Sequence, residues 1–187
     1  MYIMKFNLIV AVCRNNGIGY NGTLPWHIKN DLRYFSKLTK GDGTNAVVMG
    51  HNTWKSISVQ VRDRIGLQGR DNFVLSSSNR FDILFHNERL VKSFSSYDEF
   101  IKYIELNPIY EEVWIIGGAH VYKQFLLEGN VSKCYITTID KEFKCDVFFP
   151  ALDVLSWKET ERTQEFDEFY QCNVDYCVYE KIHNAPI

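Results

Sequence analysis

A chain of 187 residues is about one domain long and large enough to fill a hydrophobic core without disulfides. With 45% hydrophobic and 24% charged residues, 11 Gly and only 4 Pro, its composition is that of an ordinary globular protein and not of a disordered chain. A net charge of -2, with no Lys/Arg run, creates no basic field for phosphate backbones, so nucleic acid is not an expected partner.

The first apolar run, Phe6 to Cys13, follows Lys5 in the manner of a signal peptide. It is too short for a membrane span, Asn7 interrupts it, and Arg14, Asn15, Asn16 and Gly17 offer no cleavage site. It reads as a buried strand. Gly17-Ile18-Gly19-Tyr20-Asn21-Gly22 then matches the dinucleotide fingerprint letter for letter. That fingerprint works only when its glycines open a helix, whereas Asn21-Gly22 signals a turn and Thr23-Leu24-Pro25 stops a helix from running on. Two readings stay open, a plain surface loop and a lid hinged on glycines.

His27 to Leu38 has helical periodicity, with Ile28, Leu32, Phe35 and Leu38 on one face. Asp31 stands one turn from Phe35, so a carboxylate lies beside an aromatic in one cleft, unless it is simply a solvated helix acid. A strand over Ala46 to Met49 runs through Gly50-His51-Asn52-Thr53 into a short helix beginning near Thr53. Strands follow at Asn72 to Leu75 and Leu90 to Phe94. Ser96-Tyr97-Asp98-Glu99 is a capping box opening a helix with Phe100, Ile101 and Ile104 inward. The strand Val113 to Ile116 passes through Gly117-Gly118 directly into a helix over Ala119 to Leu127, closed by Gly129. Such strand-to-helix glycine turns bare backbone N–H groups at a positive helix end, and two of them suggest an extended diphosphate ligand. After a strand over Lys133 to Ile139 the pattern changes. Beyond Pro150, Trp157 to Gln164 and Gln171 to Ile182 read as two antiparallel strands joined by an acidic turn.

The alternation predicts an α/β fold in a single domain over residues 1–187. Its centre is a mostly parallel twisted sheet of about eight strands with an antiparallel C-terminal strand, flanked by about four helices. Several strands are continuously apolar and should be buried on both faces. The five cysteines (Cys13, Cys134, Cys145, Cys172, Cys177) share no metal-ligand spacing and read as reduced packing residues of a cytoplasmic protein.

Taken together, Ile9 to Val12, Gly17 to Gly19, Leu24-Pro25-Trp26, Asp31, Gly50 to Trp54, Leu67 to Arg70, Ile116 to Gly118 and Asp146 to Pro150 stand in an order that resembles the dihydrofolate reductase family over nearly the whole chain. The resemblance implies hydride transfer from NADPH to C6 of dihydrofolate with protonation at N5. No Ser-His-Asp set, Cys-His set or metal is then required. By similarity Asp31 accepts two hydrogen bonds from the pterin's 2-amino group and N3–H. In the family this acid lies too far from N5 for direct transfer, a water is usually invoked, and the acid favours protonated substrate. Trp26 and Thr137 match positions that hold ordered water and orient the acid. Leu24 is expected nearest both rings, in the mobile lid Gly17 to Leu24. Leu32, Phe35 and Ile57 match the apolar substrate walls, with Ile9, Ile116 and Tyr122 completing the pocket, and Arg70 matches the grip on the glutamate tail's α-carboxylate. For the cofactor the resemblance implies Ala11, Ile18 and Gly22 around nicotinamide. Gly50, His51, Asn52 and Thr53, then Ser76, Ser77 and Ser78, and finally Gly117, Gly118, Ala119, His120, Val121 and Tyr122 serve its remaining parts. In this family Gly117-Gly118 includes a cis peptide.

Two departures stand out. The family usually has Arg or Lys after Gly50 for the 2′-phosphate, whereas this chain has His51. An imidazole binds phosphate best when protonated, so cofactor affinity is expected to fall as pH rises through its titration, with Ser76 and Ser77 donating and Arg80 or Lys92 supplying charge. The stretch Ser58 to Gly66 is long and lacks the usual Pro before Leu67, which alters the wall near the benzoyl group. Two rivals stand beside this reading: a pyrimidine reductase of the same fold, which has no use for Arg70, and a nucleotide-binding module without catalysis, which keeps both glycine turns. Neither needs Asp31 beside Phe35. The expected partners are small molecules, dihydrofolate and antifolates, with no membrane and no obligate protein partner, and a monomer is the default.

Overall fold

The computed structural model describes residues 4–60, 66–78, 84–86 and 89–182. Its elements are β1 (Lys5–Cys13), β2 (Gly17–Gly19), α1 (Lys29–Lys40), β3 (Ala46–Gly50), α2 (His51–Gln60), β4 (Asp71–Leu75), β5 (Leu84–His86), β6 (Arg89–Phe94), α3 (Tyr97–Leu106), β7 (Glu112–Ile115), α4 (Ala119–Glu128), β8 (Val131–Ile139), β9 (Val147–Phe148), β10 (Trp157–Asp167) and β11 (Cys172–Lys181). Among the described residues nine strands form one sheet in the order β10-β11-β8-β1-β7-β3-β4-β6-β5. The strands from β8 to β6 pair in parallel, while β10, β11 and β5 join antiparallel at the edges.

β1 lies between β8 and β7, with all but its first residue largely removed from solvent. A strand in that position must be apolar on both faces, which is why the sequence shows an unbroken run there. Leu8, Val10 and Val12 pack with Phe100 of α3 and with Val121 and Phe125 of α4. Ile9 faces the other way, with Val47, Met49, Trp114 and half-buried Phe35, Leu38, Trp54 and Ile57. The side-chain alternation of the strands therefore assigns α3 and α4 to one face and α1 and α2 to the other. A third cluster of Cys13, Trp26, Ile28, Ile139, Cys172 and Val174 closes the end near β11.

The structure shifts several expected boundaries. α1 starts at Lys29 and not His27, because Ile28 is extended (φ -99°, ψ 107°) and buried beside Trp26 and Ile139. α2 starts at His51, two residues ahead of Thr53, since Gly50 ends β3 and the chain turns at once. The short strands β2 and β9, which pair with each other, and the edge strand β5 carried no apolar run long enough to announce them. The cap itself is as expected, with Ser96 Oγ accepting from the Glu99 N–H at 3.2 Å, but Glu99 reaches one residue further back than a capping box requires, accepting from the Ser95 N–H at 2.7 Å. Gly129 closes α4 in the left-handed conformation, as read. Among the described residues no helix is long and apolar enough to cross a membrane.

Candidate active site

The carboxyl ends of the parallel strands meet at a cleft of about 1000 Å³. Ligands of open α/β sheets bind at this end, because loops and helix N-termini converge there. The cleft gathers Ile9, Ala11, Ile18, Gly22, Leu24, Asp31, Leu32, Phe35, Ile57, Ile116 and Thr137. It also gathers Gly50 to Thr53, Ser76 to Ser78, and Gly117 to Tyr122. Sequence reasoning missed Val10, Ser56, Leu75, Gln124, Val147 and the junction Ser95-Ser96-Tyr97. That junction carries a usable signal, since it too joins a strand to a helix, although its Ser and Glu spell a helix cap.

Asp31 sits in the first turn of α1 and is 8% exposed. Burial pushes its carboxyl up to about 6, a hydrogen bond from the Thr137 hydroxyl opposes that rise, and the charge of Glu165 adds to it. About one molecule in ten thus carries the proton at pH 7, so one group in an apolar wall is available in both forms near neutrality. The solvated-acid alternative does not describe this residue. Leu32 and Leu24 are exposed at 38% and 44%, which suits side chains on the wall of an open cleft.

Two predicted residues do not line the cleft. Trp26 is buried on Phe143, with ring centroids 5.3 Å apart, and its indole N–H has no protein partner. Arg70 is 4% exposed, donates from Nε to the Gln68 carbonyl at 3.0 Å and bonds the Thr39 hydroxyl through Nη1. Those bonds use two of the five N–H donors of a guanidinium. Burial alone lowers Arg70 to about 10.

On the opposite wall the two glycine turns touch. The Gly50 N–H donates to the Gly117 carbonyl at 2.7 Å, and the Ile116 N–H donates to the Val48 carbonyl at 3.0 Å. The Gly117-Gly118 peptide is cis. A Cβ on Gly117 would lie 3.1 Å from Tyr122 Oη, and one on Gly50 would lie 3.2 Å from Val121 Cγ2, so both turns are open because side chains are absent. Tyr122 is fixed by its hydroxyl, which donates to the Ile9 carbonyl at 2.8 Å. The N-termini of α2 and α4 therefore point bare backbone at one cleft, and both ring nitrogens of His51 are out of solvent without a partner among the described residues. These residues fit a dinucleotide diphosphate.

No Lys or Arg is among the described residues that line the cleft. The expectation that Lys92 supplies charge is corrected, because its ammonium packs 4.2 Å above the Tyr103 ring, where β6 faces α3. Arg80 and positions 61–65 of the long stretch before Leu67 lie outside the described residues.

The rejected fingerprint is a strand and a tight turn. After β2, the Tyr20 N–H donates to the Thr23 carbonyl at 2.9 Å and Thr23 returns a bond at 3.1 Å. Asn21 and Gly22, at φ 48° and 74°, occupy the left-handed region, as a two-residue hairpin turn requires. Asp146 holds the segment, accepting from the Asn21 N–H at 2.9 Å and donating its own N–H to the Gly19 carbonyl at 3.0 Å.

A buried carboxylate and two glycine turns lining one cleft define an α/β enzyme for a flat ring and an extended nucleotide. Comparison with known proteins makes this specific. The dihydrofolate reductase family model matches residues 5–181. The chain is 42% identical to a dihydrofolate reductase of Heliothis virescens, covering 80% of this chain and 81% of that one. It is 40% identical to the Drosophila melanogaster protein of the same name, with the same coverage, and 34% to that of Aedes albopictus over 95% and 98%. The chain belongs to the dihydrofolate reductase family and is an NADPH-dependent oxidoreductase that reduces dihydrofolate to tetrahydrofolate.

Proposed function

We propose that Asp31 receives the pterin ring of dihydrofolate, accepting hydrogen bonds from its 2-amino group and N3–H as a charge-assisted pair. NADPH, when bound, supplies the hydride that goes to C6. The chain's own part is to align the two rings, keep water out and manage the proton for N5. Leu32, Phe35 and Ile57 form the apolar wall of the substrate half, and Ile9, Ile116 and Tyr122 form its floor. Thr137 orients the Asp31 carboxylate, and Trp26 offers its unpaired indole N–H behind it. Leu24 and Ile18, from the segment that carries the glycine turn, cover the place where the rings meet.

Ala11 and Gly22 border the nicotinamide. The N–H groups at Gly50 to Thr53 and at Gly117 to Tyr122 bind the diphosphate, while His51 and Ser76 to Ser78 face the 2′-phosphate. Arg70 lies behind the cleft lining, and the family resemblance gives it the glutamate tail's α-carboxylate through the guanidinium N–H groups that Thr39 and Gln68 do not take. The same reading makes the protein a cytoplasmic monomer with one domain across residues 1–187 and no obligate protein partner. Five free cysteines support the reducing compartment in that reading.

The observation that carries the proposal is the buried Asp31 carboxyl in the cleft wall, raised to about 6. The test is NADPH oxidation with dihydrofolate, compared with Asp31→Asn. Activity at neutral pH should fall by roughly 10² or more and recover in part in acid, where the substrate arrives protonated. Full activity of Asp31→Asn at neutral pH overturns the assignment.

A further inference from the structure

Asp31 and Thr137 have a second carboxylate behind them. Glu165, in β10, is half-buried and held from both sides. Asn30, the residue before Asp31 in α1, donates to its Oε2 at 3.1 Å, and Tyr176 of β11 donates to its Oε1 at 2.6 Å. Tyr176 is the register partner of Thr137 on β8, and its ring packs on Tyr34 of α1 with centroids 4.7 Å apart. Glu165 is thus bonded to the chain neighbour of one member of the Asp31–Thr137 pair and to the cross-strand neighbour of the other.

We propose that Glu165 is a positioning residue for Asp31: its hydrogen bonds to Asn30 and Tyr176 pin the first turn of α1 to β11 and fix a negative charge behind the Asp31–Thr137 pair. The inference rests on the reading that Asp31 receives the pterin and sets the pH dependence of the transfer. The groups facing Asp31 are Thr137 from β8, Glu165 from β10, Tyr176 from β11, Tyr34 from α1 and Tyr122 from α4. Of these, Glu165 brings a charge, and a like charge nearby favours the protonated form of a carboxyl. Replacing Glu by Gln removes that charge while a carboxamide can still bond Tyr176 and Asn30. The substitution therefore separates electrostatics from structure.

The experiment is single-turnover hydride transfer from NADPH to dihydrofolate, followed across pH for wild type, E165Q, E165D and D31N. E165Q should move the apparent pKa of the transfer step down by about half a unit. Above that pKa the rate then falls by about threefold, with little change in acid and an unchanged Kd for NADPH. E165D keeps the charge and should restore the wild-type profile. E165N, shorter and equally neutral, carries the same expectation as E165Q should glutamine at 165 impair folding. If D31N abolishes the pH limb while the E165Q and E165N profiles superimpose on wild type, the role of Glu165 is overturned and Asp31 keeps its own. If D31N keeps the wild-type limb, the reading of Asp31 fails first.

Discussion

The backbone N–H of Gly50 donates a 2.7 Å hydrogen bond to the carbonyl of Gly117, so the two glycine turns of the cleft are tied directly to each other. Gly117 has φ 112°, which an L side chain rarely adopts, and its missing Cβ would meet three atoms of Tyr122 within 3.1 to 3.2 Å. Gly117→Ala is expected to lose about 1–3 kcal/mol through strain and overpacking and to weaken NADPH binding more than dihydrofolate binding. Titration of each ligand against the variant checks this, and equal weakening of both ligands contradicts it.

Asp31 should lower the stability of the fold it serves. Its carboxyl rises from 3.8 to about 6 on folding, so the native state prefers it neutral. Its contribution to stability is fully present below pH 3.8 and is lost as pH rises through about 6, the reverse of a salt-bridged aspartate. At pH 8 the ionised group costs up to about 3 kcal/mol. Asp31→Asn should therefore raise Tm by several degrees at pH 8 and hardly at all at pH 4, alongside the loss of activity. A Tm difference that does not change with pH is the contrary result.

Gly17 at the root of the glycine segment is closely enclosed. A Cβ there would sit 2.2 Å from Cys145 Sγ, 2.5 Å from Cys145 Cβ and 3.0 Å from Cys13 Sγ. Since a Cβ atom cannot swing aside, backbone must move, and Gly17→Ala is expected to destabilise by about 1–3 kcal/mol. Gly22 has nothing within 4 Å of its missing Cβ, so Gly22→Ala meets only the φ of 74° and should cost less, about 1 kcal/mol. Urea unfolding of the two variants ranks them, and the opposite order would reject this account.

His51 stands where the cleft has no Lys or Arg among its described lining residues, and its ring nitrogens have no partner among the described residues. A hydrogen bond to a charged phosphate contributes about 1.5–3 kcal/mol, so His51→Ala should weaken NADPH by roughly tenfold or more. NADH, which lacks the 2′-phosphate, should be almost unaffected. Kd values for both cofactors decide it, and parallel losses would place His51 elsewhere in cofactor binding.

Much of the fold was legible because buried parallel strands must be apolar on both faces, and Ala46 to Met49 or Val113 to Ile116 can hardly be read otherwise. Both glycine turns were legible for a related reason: a strand, glycines and a helix in immediate succession leave the backbone few other paths. The short strands β2 and β9 were not, since their pairing is made across more than a hundred residues and leaves no local pattern. Lys92 was misplaced because strand alternation does not say what covers each face, and the answer was the ring of Tyr103.

The sequence by itself determined the order of the long strands and the helices and the residue types at the turns, because hydrophobic periodicity and glycine act over a few neighbours. Only the tertiary structure decided that Asp31 is buried, since that depends on β8 bringing the Thr137 hydroxyl to it and on β10 and β11 closing behind it with Glu165 and Tyr176. A carboxyl's proton affinity is a sum over surroundings distant in the chain, and no local pattern carries that sum.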